Sequence, residues 1–259
     1  MPPPLIEFEN VHVARGGNLA LQGVTLSIEP GEHVAILGPN GSGKSTLIQA
    51  ITRDCYPLTG PSSRLRIFGR DTWNVFDLRA LLGIVTNDLA ERCVQPNTVE
   101  ETVLSGFFSS IGVWPNHGVT AAMRDKASSL MDLLGIAHLS SRRMTEMSSG
   151  EVRRAVIARA LVHDPAALLL DEPANSLDIA SQFELRQAMR RLAGEGIGLV
   201  LVTHHLPDIV PEIGRVVCLR QGRVWRDGNK RELLTRPVLS KLFGVAVQLQ
   251  QLDGYYHMY

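Results

Sequence analysis

Gly38-Pro39-Asn40-Gly41-Ser42-Gly43-Lys44-Ser45-Thr46 is the stretch from which the rest of the chain can be read. It meets the phosphate-loop pattern G-x-x-x-x-G-K-[ST] at every fixed position. The apolar run Val34–Leu37 before it reads as a buried strand, and Ser45–Ile51 after it reads as the start of a helix. That strand–loop–helix setting is what the pattern needs to be more than a text match. Glycines let the backbone turn tightly round an anion with amide N–H groups pointing inward. The helix N-terminus behind them adds partial positive charge. Lys44 can then reach the β- and γ-phosphates of a nucleotide, and the Ser45 hydroxyl can ligate Mg2+. The plain alternative is a Gly/Ser loop that only joins two elements.

Working outward, Leu5 to Ile28 alternates apolar and polar residues in short runs broken by Gly16-Gly17 and Gly23, which predicts antiparallel strands. Residues 98–145 carry helical patterns, Met123–Leu134 among them, with a Gly/Pro/Asn-rich break at Gly112–Gly118. This stretch reads as a mostly helical subdomain inserted into the core. Two buried-type strands follow, Ala167–Leu170 and Leu199–Val202, with helical Ile179–Leu192 between them. Strand–helix–strand spacing of this kind implies a parallel sheet. Val245–Tyr259 alternates across Asp253-Gly254, a two-residue hairpin signal.

Composition narrows the class. The 259 residues are 44% hydrophobic, enough for a sizeable core in one large or two small domains. Lysine plus arginine equals aspartate plus glutamate at 26 each, a balance that argues against a nucleic-acid-coating protein. Cys55, Cys93 and Cys218 are far apart and show no metal-type spacing, as fits a reducing compartment. The segment Met1–Glu7 has neither the basic region nor the apolar region of a signal peptide. The longest apolar runs are strand-length, well short of the roughly 20 residues of a membrane span. The expectation is a soluble, cytoplasmic protein that reaches a membrane only through a partner.

Three further groups of residues carry chemistry. The buried run Ala167–Leu170 ends in Asp171-Glu172. An aspartate at the end of such a strand supports Mg2+ beside a phosphate loop, and an adjacent acid can polarise the attacking water. An acid pair capping a helix is the alternative. Val202-Thr203-His204 ends the next strand, where a histidine faces the ligand crevice and can bond a γ-phosphate. A structural histidine is the commoner case for one standing alone. By strand alternation His205 points the other way. Ser148-Ser149-Gly150-Glu151 opens the amphipathic run Val152–Val162 and offers hydroxyls and free amides at a helix N-terminus. Taken alone, an ordinary N-cap is the simpler reading of that start.

Together these residues resemble an ATP-binding cassette (ABC) ATPase, from about Leu5 to Arg236. Gly38–Thr46 looks like its Walker A loop, and Leu168–Asp171 with Glu172 looks like Walker B and the catalytic glutamate. Met147–Glu151 falls where the Leu-Ser-Gly-Gly-Gln signature belongs. Ser176-Leu177-Asp178 is similar to the D-loop, and His204 to the switch histidine. The resemblance implies an α/β P-loop NTPase fold with a RecA-like parallel-sheet core, an N-terminal antiparallel β subdomain and an inserted helical subdomain. It divides the chain into an ATPase domain over 1–236, with core 1–86 and 151–236 and helical subdomain 87–150, and a tail over 237–259. It implies a head-to-tail homodimer in the ATP-bound state, with each ATP between Walker A of one subunit and Ser148, Ser149 and Gly150 of the other. Glu172, His204 and Lys44 are the implied catalytic residues. ATP is held by Gly38, Pro39, Asn40, Gly41, Ser42, Gly43, Lys44, Ser45, Thr46 and Asp178. Mg2+ falls to Ser45, Asp171 and Asn87.

Three positions depart from the family pattern. Asn87 stands where Gln is usual, keeping the carboxamide but losing a methylene. The adenine-stacking position, usually aromatic, falls near Arg15, whose guanidinium can also stack. Met147, Ser149 and Glu151 replace the usual Leu, Gly and Gln of the signature, while Ser148 and Gly150 remain.

The interval between Asn87 and the signature suits a small helical subdomain rather than a long coiled coil, and there is one cassette. This favours the ATPase subunit of a transporter whose membrane permease subunits are separate chains, peripheral on the cytoplasmic face of the inner or cell membrane, with no nucleic-acid partner. Thr98–Gly106 opens the helical subdomain as in importers. The aromatic segment Phe107–Trp114 is either core or part of a groove that grips the permease. Val238–Val247 is similar to the tail of iron-chelate and vitamin B12 importer ATPases, and Ser105–Gly112 to a group named after molybdate transport. A metal complex or metal oxyanion is the cargo these likenesses imply. A soluble regulatory ABC ATPase without a permease is the rival reading.

Overall fold

The computed structural model describes residues 3–60 and 62–259. In chain order the elements are β1 (Ile6–Arg15), β2 (Asn18–Ile28), β3 (His33–Leu37), α1 (Lys44–Ile51), β4 (Arg64–Ile67), α2 (Val75–Leu81), β5 (Leu82–Val85) and α3 (Asn87–Cys93). Then come α4 (Val99–Leu104), α5 (Ala121–Leu133), α6 (Ser149–Ala160), β6 (Ala167–Asp171), α7 (Ile179–Gly194) and β7 (Gly198–Thr203). The chain closes with β8 (Arg215–Arg220), β9 (Arg223–Asn229), α8 (Lys230–Leu233), α9 (Arg236–Phe243), β10 (Leu249–Leu252) and β11 (Tyr255–Met258). Two compact units result, one of Met1–Val75 with Gly198–Tyr259 and one of Phe76–Ile197.

In the first unit, β1 lies between β2 and β4, antiparallel to both. Its alternation puts Ile6, Phe8, Val11 and Val13 inside. Register shifts between Phe8 and Val11 and between Val11 and Val13 bend the strand. β3 is parallel to β7 on one side and to β8 on the other. Val34–Leu37 and Leu199–Val202 are fully buried, so these strands read as continuous apolar runs rather than alternating ones. β9 returns antiparallel to β8. The expected tail hairpin forms with Leu252 opposite Tyr255. Its turn takes φ 50° at Asp253 and φ 83° at Gly254, the paired left-handed geometry that Asp-Gly supplies. β11 lies against the turn Leu206–Asp208 that follows β7.

In the second unit, β5 and β6 are parallel, with Leu82 opposite Ala167 and Val85 opposite Leu170. α6 is the central helix, packed against α3, α4, α5, α7 and β5. Thr98 and Ser148 both start their helices with capping boxes, closed by Glu101 and Glu151. The aromatic segment after α4 is not core. Phe108 stacks on His117 with centroids 4.1 Å apart, Phe107 meets His163 edge-on, and Trp114 is exposed.

Candidate active site

Gly38–Gly43 leaves the buried end of β3 and enters α1 by a path with no room for a side chain at Gly38 or Gly43. A Cβ on Gly38 would stand 2.4 Å from the Leu219 carbonyl oxygen, and one on Gly43 would stand 2.8 Å from that of Ala20. Gly41 and Gly43 also take φ of 77° and 105°. The loop is pinned by a bond from the Ser42 amide to the Pro39 oxygen (3.2 Å) and one from the Gly222 amide to the Ser42 oxygen (2.9 Å). Gly43 is the N-cap of α1 and gives no side-chain cap. The first amides of the helix, on Lys44, Ser45 and Thr46, therefore lie at its uncapped, positive end. Lys44 is buried and arches back over the loop, donating from Nζ to the Gly38 oxygen at 2.9 Å and the Pro39 oxygen at 3.2 Å. The Ser42 hydroxyl is buried with no hydrogen-bond partner. A cation, a row of helix-end amides and an orphaned hydroxyl converge here, a donor set that fits the anionic phosphates of a nucleotide.

Two more expected residues belong to this unit. Arg15, at the end of β1, donates from Nη1 to Oε1 of Gln49 on α1, which ties the strand end to the phosphate-loop helix. His204 follows the last residue of β7. Thr203 is fully buried, and its hydroxyl accepts from the His205 amide at 2.9 Å and bonds the buried Asp208 carboxylate at 3.2 Å. That turn fixes the backbone on both sides of His204. The expectation that His205 points away from His204 does not hold, since the two rings lie 4.2 Å apart, tilted by 45°. Strand alternation ends at Thr203, and the hydroxyl-centred turn replaces it.

The second unit carries the expected acids and the helix start expected to serve as the signature. β6 delivers Asp171 at its C-terminal end. Glu172 then takes φ 44°, a left-handed conformation that costs a non-glycine residue roughly 1–2 kcal/mol. The Asn175 amide donates to the Glu172 oxygen at 3.1 Å, and Ser176 is again left-handed at φ 63°. Asp178 caps α7, accepting from the Ser181 amide at 2.9 Å and the Ser181 hydroxyl at 2.8 Å. Those two bonds hold its carboxyl below the usual carboxylate range.

Ser148 caps α6 in a reciprocal arrangement. The Glu151 carboxylate accepts from the Ser148 amide at 2.7 Å and its hydroxyl at 2.9 Å, while the Glu151 amide donates to the hydroxyl at 3.3 Å. Burial raises the Glu151 pKa, but the bonds from Ser148 and the charges of Arg142 and Arg154 outweigh it and hold the carboxyl below its ordinary value. Ser149 is exposed at the helix start. Gly150 is buried, and a Cβ there would stand 2.5 Å from Ser181, so α6 and α7 approach too closely for any side chain. Asn87 begins α3, just past the end of β5, and its Oδ1 accepts from Nη2 of Arg153 on α6.

Among the described residues, no cluster of three His, Cys, Asp or Glu side chains could hold a metal ion. The expected Mg2+ donors are hard oxygens, the Ser45 hydroxyl and the Asp171 carboxylate, which suits a cation that keeps several waters. Sequence reading missed Arg153. Its signal was the doublet Arg153-Arg154 between Val152 and the apolar run Ala155-Val156-Ile157, and both arginines are buried.

A phosphate-binding loop between a buried parallel strand and a helix defines a nucleotide-binding α/β protein. The chain belongs to the ABC transporter family, whose match spans residues 21–175. It is 34% identical over 260 residues to the hemin import ATP-binding protein HmuV of Bradyrhizobium diazoefficiens, covering 96% of this chain and 92% of that one. It is 33% identical over 233 residues to the phosphonates import ATP-binding protein PhnC 2 of a Synechococcus strain, covering 88% and 86%. Among solved structures, the ADP conformation of the ATP-binding cassette MJ1267 superposes with a TM-score of 0.77 at 25% identity, over 92% of this chain and 98% of that one. The chain is thus an ABC ATPase, an ATP-binding subunit of transporter type.

Proposed function

We propose that this chain drives import through separate permease subunits, working as a homodimer that closes on ATP at the cytoplasmic face of the membrane. The observation that carries the reading is the phosphate loop with Lys44 arched over it and an uncapped helix end behind it. Among the described residues no helix is long and apolar enough to cross a membrane, and in this reading the path for cargo lies in the permease subunits. The named relatives serve hemin and phosphonate import. Cargo that varies this widely over one cassette is selected outside it. A metal complex or metal oxyanion is the class that the likeness of Val238–Val247 to iron-chelate and vitamin B12 systems favours.

In this reading the loop amides and Lys44 hold the β- and γ-phosphates of ATP. Ser45 and Asp171 are the residues to hold Mg2+, which when bound neutralises charge on the β- and γ-phosphate oxygens. Glu172 takes a proton from water as its oxygen attacks the γ-phosphorus, the bond to the bridging oxygen breaks, and ADP leaves with the electron pair. His204 bonds the γ-phosphate from the end of β7. Ser148, Ser149 and Gly150 of the second copy meet the same phosphate, Asp178 contributes to the nucleotide site, and Arg15 lies on the adenine side. The test is co-purification of the Glu172→Gln protein from native membranes in ATP. A stoichiometric multi-span chain is the expected companion. A dimer that stays soluble and brings down no membrane chain would replace the importer by a regulatory ATPase.

A further inference from the structure

Arg153 bonds Asn87 and carries its charge near Asp171, two of the expected metal residues, both in the second unit. It sits in the first half of α6 and is 6% exposed. Its Nη2 donates to Oδ1 of Asn87, while Nε and Nη1 are buried with no hydrogen-bond partner. Burial disfavours its charge, and the carboxylates of Asp171 and then Glu91 offset part of that penalty. A buried guanidinium half without hydrogen bonds is costly, so it is held there by those carboxylates and by Asn87. The backbone explains the meeting. Val85 and Leu170 are register partners on parallel strands, so Asn87 follows the end of β5 beside Asp171, the last residue of β6, and α6 packs on both α3 and β5.

We infer that Arg153 is a positioning residue of the nucleotide site: it occupies the Asn87 carboxamide oxygen, keeps Asn87 out of the inner shell of the divalent cation, and sets how tightly that cation is held. The inference rests on the reading of Asp171 as the metal-holding acid. A carboxamide oxygen already bonded to a full positive charge is a poor ligand for a second, doubly charged cation. Repulsion at that range outweighs one neutral ligand that a water molecule can replace, because Mg2+ readily keeps several waters. The shorter Asn in place of Gln and the arginine that reaches it thus form one arrangement. Asn87 acts from outside the coordination shell, and the positive charge weakens the site to a level that lets the cation leave with product.

The experiment is a Mn2+ titration followed by electron paramagnetic resonance on the full chain saturated with ADP, with melting temperature as the check on folding. Asn87→Ala should leave Mn2+ affinity within about twofold, because water already fills the ligand position. Arg153→Gln should tighten Mn2+ binding roughly threefold to tenfold, the size expected for removing one nearby charge. Arg153→Lys, which keeps the charge, should restore the wild-type affinity. A tenfold or greater loss of Mn2+ in Asn87→Ala would show direct ligation and overturn the inference, and this variant decides even if Arg153→Gln does not fold. A folded Arg153→Gln protein with unchanged Mn2+ affinity would also overturn it. Wild-type protein that takes up no Mn2+ with ADP would overturn the metal role of Asp171 together with it.

Discussion

Gly150 and Ser181 touch so closely that a methyl group on the glycine would stand 2.5 Å from both Cβ and Oγ of the serine. The same serine hydroxyl donates to Asp178, the N-cap of α7. Gly150 at the start of α6 and Asp178 at the start of α7 are therefore coupled through one side chain. Gly150 has a packing reason to be glycine that is independent of any phosphate.

Gly150→Ala should cost about 1–3 kcal/mol of stability, as overpacking does. Ser181→Gly in that background should recover part of the loss by removing the clash, although the cap then loses one bond. Urea unfolding of the two variants and the wild type measures both. An alanine variant as stable as wild type would show that the helices part freely and that the closeness means little.

The capping box predicts an acid dependence. The folded-state pKa of Glu151 lies below its ordinary value. The stability it contributes is therefore complete above the ordinary carboxylate range and is lost as pH falls through the folded-state value. Wild type should exceed Glu151→Ala by about 1 kcal/mol at pH 7, with the gap closing toward pH 3. Glu151→Gln should differ less between the two pH values. Paired denaturation curves at pH 7 and pH 3 settle it, and a gap that widens in acid would contradict the sign.

Glu172, the proposed proton acceptor, holds a left-handed backbone at φ 44°. Glu172→Gln should keep ATP affinity and thermal stability but lose steady hydrolysis, since only the proton acceptor changes. Glu172→Gly should also lose hydrolysis, yet gain up to about 1 kcal/mol, because glycine adopts this conformation without the Cβ penalty. Such opposite movement of stability and activity marks strain kept for function. A glycine variant clearly less stable than the glutamine one would mean that the side chain also supports the fold.

Much of this was legible because it is local. The loop Gly38–Thr46 and the apolar runs of β3, β6 and β7 announce themselves by composition and order, and Asp253-Gly254 by turn chemistry. What escaped depends on partners distant in sequence. Nothing near Asn87 names Arg153, and nothing near Gly150 names Ser181. The orientation of His205 was misread by extending a period of two past the end of its strand, where the Thr203 hydroxyl takes over the backbone. The left-handed Glu172 has no sequence signal, because glutamate is not a residue chosen for that conformation.

The tail hairpin bears on the histidine through packing. β11 lies on the turn Leu206–Asp208 just beyond His204, Tyr256 within it is 5% exposed, and Gly254 closes against Pro211. Tyr256→Ala should cost about 3–5 kcal/mol, the range for truncating a buried aromatic. The more specific expectation concerns where the loss is felt. Amide hydrogen exchange should quicken at Leu206–Ile209 well before it does at β3 or α1, because the hairpin packs most heavily on that turn. Hydrolysis should fall with nucleotide affinity nearly unchanged, since Lys44 and its loop are untouched while His204 loses its support. Exchange that quickens evenly across the first unit would instead make Tyr256 an ordinary core residue with no particular hold on His204.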